Sequence, residues 1–254
     1  MIIVDDRFDD RIGNSRSIRD MQRNTDKRTI QEKKWDEKWA RERDTSYDDW
    51  LEKMNDTVTS IIEATRAPII DLGCGNGNDT RYLLEHGKDV IPCDLSSVAI
   101  ENIKKDFTQI KRAECFDMAK GLPFEDNFTD VIVSDLSLHY FSEEVTTKIL
   151  EDIKRVLKPN GILILRVNST NDTFWGAGQG EELEKHFYRD DKGFTKRYFD
   201  QDDLNRFFSE WEFILNPEEI TLHRYDSHKE AKDRDAKAET PGKITWICVV
   251  KAKK

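Results

Sequence analysis

The chain has 254 residues and a net charge of −10 at neutral pH, with 37% hydrophobic and 36% charged residues. That length can bury a core and the composition is too apolar for a wholly disordered chain, while the acidic balance argues against a broad basic face for gripping phosphate backbones. No apolar run approaches the roughly 18 residues that span a membrane, and the first residues lack a secretory hydrophobic region, so a soluble cytoplasmic monomer is expected.

Residues 1–28 are rich in Asp, Arg and Asn, with Ile2, Ile3 and Val4 as the apolar start, and read as a mobile arm. Trp35 and Trp39 lie four apart and so share a helical face. Trp50, Leu51 and Met54 resume the apolar content after a break at Asp44–Ser46, which predicts two short helices before residue 55. From Pro68 strands and helices alternate: strands over 69–72, 89–93, 129–134 and 162–167 with a short one within 110–116, helices over 79–86, 97–107 and 143–157. Alternation of this kind predicts a parallel sheet with crossover helices. After Asn168 the glycines and loose period predict a long, partly mobile loop, then a helix over 201–208. Two strands follow over 211–222 and 243–251, joined by a polar, mobile link. Cys74, Cys93, Cys115 and Cys248 contain no C-x-x-C pair, so neither a metal site nor a disulfide framework is expected.

The stretch I-I-D-L-G-C-G-N-G-N-D-T over 69–80 carries the chemistry. A strand ends in Asp71-Leu72, and Gly73, Gly75 and Gly77 open the next helix, a setting in which backbone amides can hold a polar ligand. No Lys follows, which rules out a P-loop, and position 78 is Asn78, so the third glycine of a dinucleotide fingerprint is out of place.

Four motifs in order, D-L-G-C-G-N-G, V-I-P-C-D-L-S, F-D-M-A-K-G-L-P-F and D-V-I-V-S-D-L-S-L-H-Y-F, resemble those of class I S-adenosylmethionine-dependent methyltransferases. The likeness spans about 69–167; beyond it the chain is similar to small bacterial methyltransferases of the tellurite-resistance and small-molecule type. The resemblance implies an α/β, Rossmann-like, doubly wound sheet of seven strands in the order 3-2-1-4-5-7-6, mostly parallel with strand 7 antiparallel. It implies one domain over 29–254: a helical cap to 67, a cofactor-binding half over 68–167, and a substrate-side loop with a C-terminal hairpin over 168–254.

It also implies S-adenosyl-L-methionine as cofactor. Asp71 would face its amino-acid end, and Gly73, Cys74, Gly75, Asn76 and Gly77 would line its path. Asp94 with Leu95 would hold the ribose hydroxyls, Asp117 with Met118 the adenine, and Asp135 with Leu136 would lie near the sulfonium. His139 and Tyr140 are the candidate catalytic residues at the acceptor. The Trp35–Trp39 helix is expected to cover the cofactor cleft, and the loop over 174–199, with Gly176, Gly178 and Gly180, to close over the acceptor. Ser134, Asp135, Ser137 and His139 lie too close along one strand end for a hydrolytic triad. Asp135-Leu136-Ser137-Leu138 lacks the prolines and aromatic of base-flipping amino-methyltransferases, which argues against DNA. A small-molecule acceptor is expected; RNA or protein as acceptor, and a cofactor-binding module without catalysis, are the alternatives.

Overall fold

The computed structural model describes residues 29–42, 50–54, 56–222 and 241–254. The arm over 1–28, the break at Asp44–Ser46 and the link over 223–240 lie outside the described residues. The helices are α1 (Ile30–Arg41), α2 (Trp50–Lys53), α3 (Asp56–Ala64), α4 (Asn78–Glu85), α5 (Ser97–Asp106), α6 (Glu143–Val156) and α7 (Gln201–Phe207). The strands are β1 (Ile69–Leu72), β2 (Val90–Asp94), β3 (Glu114–Cys115), β4 (Thr129–Asp135), β5 (Leu157–Asn168), β6 (Glu181–Glu184), β7 (Phe187–Arg189), β8 (Thr195–Arg197), β9 (Trp211–Leu222) and β10 (Lys243–Ala252).

Seven strands form one sheet in the order β3-β2-β1-β4-β5-β10-β9. β10 runs antiparallel to both neighbours, and the pairings from β3 to β5 are parallel. This is the expected α/β topology. The chain order reverses at β1, whose neighbours are β2 and β4, and open α/β sheets bind ligands at that switch point, beyond the strands' carboxyl ends.

The two faces carry separate cores, because alternate residues of a strand point to opposite sides. One core joins Ile70, Leu72, Ile132, Leu163 and Leu165 to Ile149 and Ile153 of α6. The other joins Ile69, Val131, Val133, Ile164 and Val249 to Trp50, Val58, Ile62 and Leu83. α6 follows from its sequence: Ser142 caps it by accepting from the Val145 amide, Glu143 and Glu144 fill its first turn, and Lys154 and Arg155 its last.

Two local readings change. Residues 168–199 are not a loose loop; β6, β7 and β8 make a small antiparallel sheet. Its pairing needs sharp turns, and Gly193 supplies a positive φ of 81° between β7 and β8. The fully buried Arg197 pins that sheet by donating to Phe141 O, Lys185 O and the Glu184 carboxylate. β3 is the short strand expected within 110–116, two residues long, pairing Cys93 with Glu114 and Asp94 with Cys115. α3 is an additional helix, amphipathic through Val58 and Ile62. No helix among the described residues is long and apolar enough to cross a membrane.

Candidate active site

The site grows from the turn after β1. Gly73, Gly75 and Gly77 all have positive φ, at 86°, 50° and 82°. A Cβ on Gly73 would lie 2.2 Å from Ser137 Cβ, and one on Gly75 2.8 Å from Trp39 Cζ2. Two other parts of the chain therefore press on this loop: the turn after β4 from one side and the α1 indole from another. Ser137 is held there by donating to Leu72 O at 2.6 Å.

Asp94 ends β2 and is nearly buried. Its Oδ2 accepts from the Gly75 amide at 2.9 Å and its Oδ1 from the Ser96 amide at 2.8 Å. Burial raises its pKa, against the pull of those amides and of the Lys38 charge. Each carboxylate oxygen still has a lone pair to offer. Asp71, 1% exposed, accepts from the Thr80 hydroxyl at 2.5 Å. Burial, with the charges of Asp135 and Asp94, raises its pKa to about 7 although the Thr80 bond opposes the shift. Asp79 accepts from the Trp50 indole at 2.8 Å, and burial pushes its pKa up as well.

Asp135 is gripped by Arg166, whose Nε and Nη2 donate to its two oxygens at 2.6 and 2.8 Å. Leu136 turns the chain at φ 49° while its amide donates to Arg166 O. Asp117 caps a 3₁₀ turn at Met118–Lys120, accepting from the Ala119 amide at 3.0 Å, and Met118 packs on the main core. Cys74 sits in a small apolar cluster with Ile100, Ile103 and Phe107. Asn76 donates to Glu42 O at 2.8 Å, and Leu95 O faces the Cys115 thiol. All four cysteines are free.

α1 roofs this loop. Asp36 accepts from the Ser96 hydroxyl at 2.5 Å, and Asn102 donates to Trp39 O at 3.1 Å. Trp35 stacks on Trp39 at 5.8 Å and meets Tyr140 and Phe194 edge-on at 5.2 and 5.8 Å. The indole N–H of Trp39 and Oδ1 of Asn78 are buried without a partner.

Beside it, beyond β4 and β5, a second group of buried polar atoms is unpaired. His139 is fully buried and neither ring nitrogen has a partner. Burial first, then the charges of Lys243, Lys196, Arg166 and Lys38, holds its pKa well below the usual histidine value, so it is neutral at pH 7. Both amide atoms of Asn168, the Thr245 hydroxyl and Oδ2 of Asp172 are likewise unpartnered. Burial raises the Tyr140 pKa beyond the phenol range, so Tyr140 is a hydrogen-bonding or packing group rather than a base at neutral pH.

The strand registers put these residues in one line. Asp71 pairs with Pro92 and Val133, Asp135 with Arg166, and Asn168 with Thr245. With a two-residue period, Asp94, Asp71, Asp135, Arg166, Asn168, Thr245 and Lys243 stand on one face at the carboxyl edge. Sequence reading found the acidic half of that row through its motifs. It missed Asn168, Thr245, Asp172 and Lys243. The available signal was Arg166 and Asn168 at alternate positions in the apolar run I-L-I-L-R-V-N. Elsewhere His186, Asp200 and Asp203 come together, but Arg206 and Lys185 already pair with the two carboxylates.

The acidic half fits S-adenosylmethionine on its chemistry. Asp71, Asp79, Asp94 and Asp135 converge, with Arg166 and Lys38 as the cations acting on them. Burial first, then the neighbouring carboxylates, raises Asp71 to about 7, and a cation bound beside it favours its ionised form. The orphaned Trp39 N–H and Asn78 oxygen offer further polar contacts.

Comparison with known proteins bears on the domain and its fold. Residues 70–165 match the family model described as a methyltransferase domain. The chain is 31% identical over 148 residues to the tRNA N(3)-methylcytidine methyltransferase of Drosophila melanogaster, covering 54% of this chain and 45% of that protein. It is 32% identical over 127 residues to an uncharacterised methyltransferase-like protein of Schizosaccharomyces pombe, covering 49% and 45%. The chain thus spans about half the length of the curated relatives it matches. Among solved structures, the 1,6-didemethyltoxoflavin-N1-methyltransferase of Burkholderia thailandensis, with S-adenosylhomocysteine bound, aligns at TM-score 0.60 and 17% identity over 88% of each chain. A methyltransferase of Methanosarcina mazei aligns at 0.59 and 18%, over 79% of this chain and 98% of that one; both show a common fold. Sheet order, switch-point motifs and family match converge: residues 70–165 carry a methyltransferase domain, on a sheet with the strand order of the class I S-adenosylmethionine-dependent methyltransferase fold.

Proposed function

We propose that this protein methylates a small-molecule acceptor bound at the β5–β10 end of the edge, beside the cofactor half. The observation that carries this reading is the set of buried, unpartnered polar atoms on His139, Asn168 and Thr245. Leaving such atoms unpaired costs about 1–3 kcal/mol each, and a polar acceptor removes that cost.

When bound, the cofactor supplies an activated methyl group on its sulfonium, so the protein needs no covalent intermediate of its own. Asp94 is placed to accept from ribose hydroxyls through its free lone pairs, and Asp71 to balance the ammonium. Asp117 and Met118 would take the adenine. Asp135 serves by holding Arg166 in place. His139, neutral and buried, orients the acceptor and can accept a proton from it at either ring nitrogen. α1 and the β6–β8 sheet keep water from the reacting atoms.

RNA is the second reading. Its support is the match to relatives described as tRNA methyltransferases, at 29% and 31% identity over about 150 residues. Against it stands the charge of −10. Incubation with methyl-labelled cofactor separates the two. Label entering a deproteinised small-molecule extract supports the first reading; label confined to purified RNA supports the second.

A further inference from the structure

The polar row changes sign along its length. Its β2, β1 and β4 positions hold Asp94, Asp71 and Asp135, and its β5 and β10 positions hold Arg166, Asn168, Thr245 and Lys243. The Arg166 charge is balanced by Asp135. Lys243 forms no ion pair with a described residue. Burial lowers its pKa to about 8, with the charges of Lys196 and Arg166 adding to the effect.

Lys196 comes from the other side, on β8. That strand is fastened to the His139–Tyr140 turn through the Thr195 hydroxyl, which donates to Tyr140 O at 3.2 Å. Just beyond it, Phe199 bridges to Ser169, and its amide donates to Asn168 O at 2.9 Å. The Lys196 ammonium lies 5.8 Å from the Tyr198 ring centroid. Asp172 and Asp190 are the carboxylates that act on Lys196; Asp172 Oδ1 takes the Ile244 amide at 3.1 Å and its Oδ2 accepts no hydrogen bond, while Asp190 Oδ1 takes the Lys192 and Phe194 amides. Asp135 pairs Arg166, and Asp190 acts with Asp172 on Lys196, which leaves the buried Lys243 ammonium without an ion pair to a described residue among unpaired neutral donors and acceptors.

We propose that the acceptor is a small organic acid whose carboxylate docks between Lys196 and Lys243 while its polar remainder meets Asn168, Thr245 and His139. This rests on the methyltransferase reading above. One carboxylate gives the Lys243 ammonium the partner it lacks, and ammonium–carboxylate hydrogen bonds are stronger than neutral ones. The Asn168 amide and the neutral His139 each offer a donor and an acceptor to the rest of the molecule.

The test uses the full chain saturated with S-adenosylhomocysteine, titrated calorimetrically with benzoate, phenylacetate and succinate and with the matching amides. At least one carboxylate is expected to saturate, with its amide about tenfold weaker or worse. Lys243→Met and Lys196→Met are each expected to weaken that carboxylate about tenfold, while S-adenosylhomocysteine titration confirms that each variant is folded. Three results overturn the proposal: no carboxylate saturates, the amides bind as well as the acids, or both variants keep wild-type affinity. Saturation by a short RNA oligonucleotide in place of the carboxylates also overturns it, in favour of a nucleic-acid acceptor. Failure of S-adenosylhomocysteine itself to bind removes the methyltransferase reading as well, which keeps the two failures distinct.

Discussion

The Trp39 indole occupies the space a side chain at Gly75 would need, with Cζ2 2.8 Å from where its Cβ would stand. The roof helix and the glycine turn are thus fitted to each other. Trp39→Ala opens the roof without touching the turn, and weakens S-adenosylhomocysteine by about tenfold or more if the lid shields the cofactor. Unchanged affinity in a titration of that variant removes the lid role from α1.

The Arg166–Asp135 pair is buried on the arginine side, at 2% exposure, and single truncation leaves a charge uncompensated. Arg166→Met is expected to destabilise the fold by about 3–5 kcal/mol. The double variant Arg166→Met/Asp135→Leu recovers part of that loss. Urea unfolding of the three proteins measures it, and equal losses in the single and double variants contradict the coupling.

Asp71 makes the ligand-free protein sensitive to pH. Its pKa is raised from 3.8 to about 7, so the native state holds a proton that the unfolded chain has released. The stability this group supplies is full below 3.8 and is lost as pH rises through about 7. His139 acts the other way: its depressed pKa means stability is lost as pH falls below the unfolded histidine value. Comparison of Asp71→Asn with wild type isolates the carboxylate. A bound cation favours ionised Asp71, so cofactor affinity rises from about pH 6 to about pH 8 in wild type and stays flat in Asp71→Asn. Parallel pH profiles for the two proteins contradict this.

Arg197 is the latch of the β6–β8 sheet through its bonds to Phe141 O, Lys185 O and Glu184. Arg197→Met is expected to speed proteolytic cleavage within 174–199 severalfold with the main sheet intact, because local opening follows local stability. Equal cutting rates in variant and wild type rule out the latch.

The sheet order and the acidic half of the site were legible because each depends on local signals. Alternating apolar runs mark the strands, and Asp71, Asp94 and Asp117 stand at or just past strand ends at motif spacing. The β6–β8 sheet was not legible: its strands have three or four residues, and a buried Arg197 holds them rather than an apolar stripe. The acceptor half was hidden for a different reason. Asn168, Asp172 and Thr245 meet only when β10 pairs antiparallel with β5, a contact 77 residues long in sequence between Asn168 and Thr245. His139 was visible as a candidate, but its full burial among lysines was not.

The central claim is that the acidic half of the edge binds S-adenosylmethionine, with Asp94 as the anchor for its ribose. Isothermal titration of wild type and Asp94→Ala with S-adenosylmethionine, and with NAD as control, tests it most directly. The account predicts saturable binding of the sulfonium compound, no binding of NAD, and a loss of about 1.5–3 kcal/mol in Asp94→Ala. Tight NAD binding with no response to S-adenosylmethionine, or equal affinity in Asp94→Ala, contradicts it.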